Sequence, residues 1–223
     1  MSAMAIAITL SCAGPEAQLE TEDKTESSDF QWQTEQFADL KILRYKVPGF
    51  DQLSLKQKEL VYYLTQAGLS GRDIIYDQNH RFNLSIRRAI EGIITHYQGD
   101  KTCSEWLAFE VYAKRFWFSN GIHHHYSNQK FQPEFSRTYF EELLNASQQS
   151  LSDEILEVIF NPAIDAKKVS KDSKSDMVLS SAVNFFDPGI TQAEVEAYYA
   201  SIIDTTDPRP ISYGLNSKLV RTS

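Results

Sequence analysis

Apolar positions along this chain recur mostly at spacings of three and four, the period of helices with one buried stripe. Leu55, Leu60, Val61, Leu64 and Ala67 share a face of a run that Ser54 and Gln57 open as a capping box and Gly68 to Gly71 close. Phe82, Ile86, Ala89, Ile90, Ile93, Ile94 and Tyr97 form a second stripe, with Arg81, Arg87, Arg88 and Glu91 off it and Gly99 and Asp100 past its end. A third helix, for which Thr102 and Glu105 are the predicted capping pair, carries Trp106, Phe109, Ala113, Phe116 and Trp117. Aromatics at that spacing read as core. The helix stops at Asn120 and Gly121, residues suited to a left-handed exit. Shorter helices are predicted from Ser136 through Tyr139, Phe140, Leu143 and Leu144, from Ser152 to Asn161 and Pro162, and from Thr191 with Glu194 through Ile202 to Asp207 and Pro208.

Two charged stretches read as solvated: a turn around Arg72, Asp73 and Asp77, and a mobile loop over Lys167 to Asp176. Only residues 211 to 220 alternate as a half-buried strand, with Ile211, Tyr213, Leu215 and Leu219 set against Ser212, Gly214, Asn216 and Lys218. Apart from Met177 to Phe186, nothing offers it a neighbour, so its sheet partners are expected outside this chain. The class that follows is α+β and mainly helical. Residues 30–166 form its helical region, 167–176 the loop, and 177–223 a helix and strand of an incomplete β-containing subdomain.

The first residues change that picture. Residues 1–12 are apolar, too few to span a bilayer, and end at Cys12 before an acidic tract, which resembles a bacterial lipoprotein signal without the usual preceding Lys or Arg. On that reading Cys12 is a lipid anchor, 13–29 is a flexible acidic linker and the chain belongs to the cell envelope. The alternative is the cytoplasm. A net charge of −8 argues against a nucleic-acid surface. The other cysteine, Cys103, has no CxxC partner and reads as a small helix-start residue.

Candidate chemistry concentrates in residues 118–133, FSNGIHHHYSNQKFQP, where Asn120, Gly121, His123, His125 and Tyr126 sit in one irregular connection of the kind that faces ligands. Were the loop extended, His123 and His125 would point to one side and could grip a metal, with Tyr126 or an outside carboxylate completing the site. Without a Cys, Asp or Glu at ligand spacing, hydrogen-bonding loop residues remain the plainer reading. No HExxH, GxSxG or phosphate-loop pattern occurs. The chain therefore holds the wall of an active site without its reactive centre.

The YYL of residues 62–64, the SNG of 119–121, Lys130 and Phe131 with Pro133, and the YGLNSKLV of 213–220 resemble the N-terminal half of the dipeptidyl-peptidase III family, in its bacterial members. The similarity runs over Leu60 to Leu144 and Phe185 to Val220. It implies a two-lobed zinc peptidase that releases dipeptides from the amino ends of short peptides. Zinc would be bound by an HExxGH helix and a later EExRAE helix, both missing here, so this part alone would be inactive and its partner would be the C-terminal catalytic lobe. The resemblance implies that this chain shapes the substrate cleft and sets Tyr126 opposite an aromatic bordering it in the eukaryotic branch. His123, His124 and His125 replace other polar residues, so it assigns them no role. Substrate contact is expected from Asn120, Gly121, His123, His125 and Tyr126, with no catalytic or metal-binding residue. The alternatives are a noncatalytic helical envelope lipoprotein that binds peptides or a partner protein, and a hydrolase with the triplet as its metal site.

Overall fold

A computed structural model describes residues 30–203, 206 and 218–222. The signal-like segment with Cys12, the acidic linker, Asp207 with Pro208, and residues 211–217 of the expected strand lie outside it. The described chain runs β1 (Gln33–Phe37), β2 (Leu40–Leu43), α1 (Leu55–Ser70), α2 (Arg72–Asn79), α3 (Asn83–His96), α4 (Ser104–Ser119), α5 (Arg137–Ala146), α6 (Asp153–Phe160) and α7 (Gln192–Ile202). This is the mainly helical α+β class, but its sheet is the antiparallel pair β1–β2, inside the region read as helical. The hairpin turns on Ala38 at φ +46 followed by Asp39. Most two-residue turns of this kind announce themselves with Asn-Gly or Asp-Gly, and Ala-Asp does not.

The core lies among α3, α4, α5 and α6. Ile86, Ala89, Ile90 and Ile93 face Trp106, Phe109, Ala113 and Phe116, and Phe140, Leu143, Leu156 and Ile159 close the other side. Phe109, Phe135, Phe140 and Phe160 meet through tilted and edge-to-face rings, the arrangement that ring quadrupoles favour. Ser54 with Gln57 and Thr191 with Glu194 form the expected capping boxes, and Ser136 and Ser152 cap α5 and α6.

Three expectations need correction. Thr102 does not cap α4. Asp100 takes its N–H at 2.7 Å and its hydroxyl at 2.6 Å, so Cys103 becomes the N-cap, while Glu105 accepts from Ser136 at the start of α5. Arg72, Asp73 and Asp77 form a helix, not a turn, because Tyr76 is driven into the core against Phe116. The start of the 167–176 stretch is paired, with Lys167 bridging Gln129 and Ser170 buried.

Helix α1 carries its expected apolar stripe but buries none of it: Leu55 is 73% exposed, Leu60 57% and Leu64 63%. Of the terminal strand, Leu219 is described, and it forms a parallel bridge to Phe186. At that point its partner is internal. No helix among the described residues is long and apolar enough to cross a membrane.

Candidate functional site

The histidine loop begins where α4 ends. Asn120 adopts the left-handed conformation expected of it, at φ 53, and Gly121 follows at φ +143. A fully buried side chain from α3 brackets this exit. Asn83 Nδ2 donates to the Tyr76 carbonyl at 3.0 Å and to that of Asn120 at 3.4 Å, while its Oδ1 accepts from the Ile122 amide at 3.2 Å. A β-carbon at Gly121 would lie 2.1 Å from Asn83 Nδ2, so glycine is required both for its φ and for this close approach.

Beyond Ile122 the chain is a narrow hairpin rather than an irregular connection. His123 bridges Lys130, Phe131 N–H donates to Ile122 at 2.8 Å, and His124 N–H donates to Gln129 at 2.8 Å. Lys130 N–H in turn donates to Ala166 and Lys168 N–H to Asn128, which adds residues 166–168 as a third ribbon.

Alternation turns His123 and His124 to opposite sides, and His125 lies already in the turn. His123 points inward, is 2% exposed, and donates from Nε2 to the Asp165 carbonyl at 2.7 Å. Beside it lies His80, fully buried, with Nε2 2.9 Å from Asp165 Oδ2, an oxygen that Arg81 also reaches at 3.0 Å. The Lys130 ammonium is buried below the loop and donates to the carbonyls of Val158 at 2.7 Å, Asn161 at 2.6 Å and Ile164. These carbonyls lie at the C-terminus of α6 and just beyond, where a cation is favoured. Desolvation nevertheless pushes the Lys130 pKa down.

His124 and His125 lie on the outer side. The amides of Tyr126 and Ser127 both donate to His124 Nδ1, at 3.2 and 3.1 Å, so its proton sits on Nε2 and is donated to Asp39 Oδ2 at 3.0 Å. That bond, with Arg115 close by, holds the Asp39 carboxyl below its ordinary pKa. The His124 and His125 rings stand 4.4 Å apart, His125 and Tyr126 4.5 Å, and Phe118 meets His125 edge-on at 5.0 Å. Burial pushes the His125 pKa down, and Ser119 Oγ lies 3.5 Å from its Nδ1. Tyr126 ends this aromatic row at 84% exposure.

Of the five residues singled out in the sequence, Gly121 and His123 are buried and hold the loop. Asn120 and His125 are partly covered, and Tyr126 faces solvent. His123 and His125 engage different neighbours and form no common grip. Among the described residues no three His, Cys, Asp or Glu side chains converge as a metal site. Sequence reading missed Asp39, His80, Asn83 and Asp165. They come from distant segments, and none of them stands in a local pattern that marks it as a partner of the loop. No protein-family model matches the chain, and a search of curated proteins finds no significant match.

Proposed function

We propose that this chain is the N-terminal, cleft-forming part of a dipeptidyl-peptidase III-like zinc metallopeptidase and that the outer face of its histidine loop contacts the peptide. The observation that carries the reading is the row His124, His125, Tyr126, an aromatic face partly covered at the histidines and exposed at Tyr126, on a hairpin whose other side is anchored in the core. Such a face packs against a peptide's side chains and backbone at little ordering cost, because the loop is already fixed. Asp39, kept ionised by its bond to His124, supplies a carboxylate beside the row for the ammonium at a peptide's amino end.

The described residues do not fit zinc. No triad of ligating side chains converges, and both HExxGH and EExRAE are missing from the sequence. We therefore assign the metal, and with it bond cleavage, to polypeptide outside this chain. What this chain does is bind and orient.

The test is the size and activity of the native polypeptide, detected with an antibody to residues 51–144. A band several-fold heavier than 25.5 kDa that releases dipeptides, with KM raised about tenfold by Tyr126→Ala, is the expected result. A native band near 25.5 kDa, or an unchanged KM, would refute the assignment. The small band would leave the noncatalytic binding protein as the better reading.

A further inference from the structure

Of the two imidazoles that grip Asp165, His80 is neutral by hydrogen-bond geometry and His123 is kept neutral by burial. Phe82 N–H donates to His80 Nδ1 at 3.2 Å, so the His80 proton sits on Nε2 and is donated to Asp165 Oδ2. His123 donates from Nε2 to a carbonyl, and its Nδ1 is buried with no partner among the described residues. The two rings stand 5.9 Å apart. The charged groups facing them are the Asp165 carboxylate, the Arg81 guanidinium and the Lys130 ammonium, with Glu154 3.7 Å from Arg81 on its outer side. Asp165 thus already serves Arg81, with Lys130 as a second fixed cation nearby. A proton added at His123 Nδ1 would have no acceptor, and one added at His80 Nδ1 would displace the Phe82 amide. Either would place a third positive charge where water screens poorly.

The clamp holds more than a side chain. Asp165 sits at φ +49, a left-handed turn conformation that aspartate adopts more readily than most residues with a β-carbon. From this turn leave the rungs that fix the loop, Lys130 N–H to Ala166 and Lys168 N–H to Asn128.

We propose that His80, Asp165 and His123 form an acid-released latch on the histidine loop: with both rings neutral the loop is locked against residues 164–168, and a proton on either ring breaks the clamp and frees it. The side chain of Asp165, 22% exposed, borders a cavity of about 250 Å³ lined also by Arg81, Ser181 and Asn184, which gives protons a path inward. Burial lowers the pKa of both rings, that of His123 to about 4, so release falls below the ordinary histidine range. Only the latch's consequence for ligand binding rests on the peptide reading given above.

Nitrogen-15 spectra of the imidazoles in the 223-residue chain, followed from about pH 8 to about pH 3.5, test the latch directly. Amides of Lys130, Phe131 and Lys168 report on the loop, and those of Ile90 and Ala113 on the core. Neutral Nε2–H rings near pH 7 are expected, with loop amides moving at higher pH than core amides. His80→Gln and His123→Gln keep a donor that does not titrate; replacing the ring that is protonated first should shift the loop transition down, and replacing both should remove it. A charged or Nδ1–H ring near neutral pH, loop and core amides moving together, or a transition that neither substitution moves would overturn the latch. Should the variants fail to fold, the wild-type tautomers and the order of loop and core transitions decide alone. Short-peptide binding that stays constant through loop release would count against the peptide reading and leave the latch standing.

Discussion

Truncating Asn83 to alanine removes the bracket at the exit of α4, and its effect is best read together with Gly121→Ala. The Asn83 side chain is the hydrogen-bond partner of the Ile122 amide and donates to the carbonyls of Tyr76 and Asn120. Truncation strands a buried N–H, at about 1–3 kcal/mol, and loses two further bonds worth about 0.5–1.5 kcal/mol each, so Asn83→Ala should cost about 2–6 kcal/mol. Gly121→Ala carries two separate penalties. Strain at φ +143 costs about 1–3 kcal/mol, and the 2.1 Å approach to Asn83 Nδ2 adds about 1–3 kcal/mol of overpacking. Only the second needs the asparagine. In the double variant the overpacking disappears and the strain stays, so the combined loss should fall short of the sum of the single losses by about 1–3 kcal/mol. Urea denaturation of the four proteins measures the cycle, and exchange of the Ile122 amide reports the bracket. Additive losses, or an Asn83→Ala protein within about 0.5 kcal/mol of wild type, would refute the account.

Three other outcomes follow from the same geometry. The folded-state pKa of His123, about 4, lies below its unfolded value near 6.5, so its neutral form contributes stability that is complete above about pH 6.5 and is lost as pH falls toward 4. The slope should be about 1.4 kcal/mol per pH unit, flattened in His123→Gln, and urea midpoints at a series of pH values measure it. Lys130→Met leaves the carbonyls of Val158, Asn161 and Ile164 without their donor and should cost about 2–4 kcal/mol, seen as a lower denaturation midpoint and faster exchange in α6. The uncovered stripe of α1 should make the isolated chain self-associate, and Leu60→Lys with Leu64→Glu should suppress this in sedimentation. A wild-type chain that is monodisperse and melts cooperatively as a monomer would argue that the stripe needs no cover.

Sequence periodicity determined the helices because each apolar stripe, from Ile86 to Ile93 and from Trp106 to Phe116, repeats within a few turns and needs no distant information. Caps were equally local at Ser54, Ser136, Ser152, Thr191 and Asn120, since each involves residues within one turn. Local rules failed where a competitor arrived from nearby or far away: Asp100 took Thr102, Ser136 took Glu105, and the core took Tyr76. The histidine loop was visible in the sequence as a cluster of ligand-competent side chains. Tertiary contact alone sorted it, turning His123 toward Asp165 and leaving His124, His125 and Tyr126 outside. Its anchors come from residues 39, 80, 83 and 165, so the hydrogen bonds they make exist only once the chain has closed on itself. Composition and spacing record which groups a chain possesses; which of them are desolvated, and against what, is decided by packing.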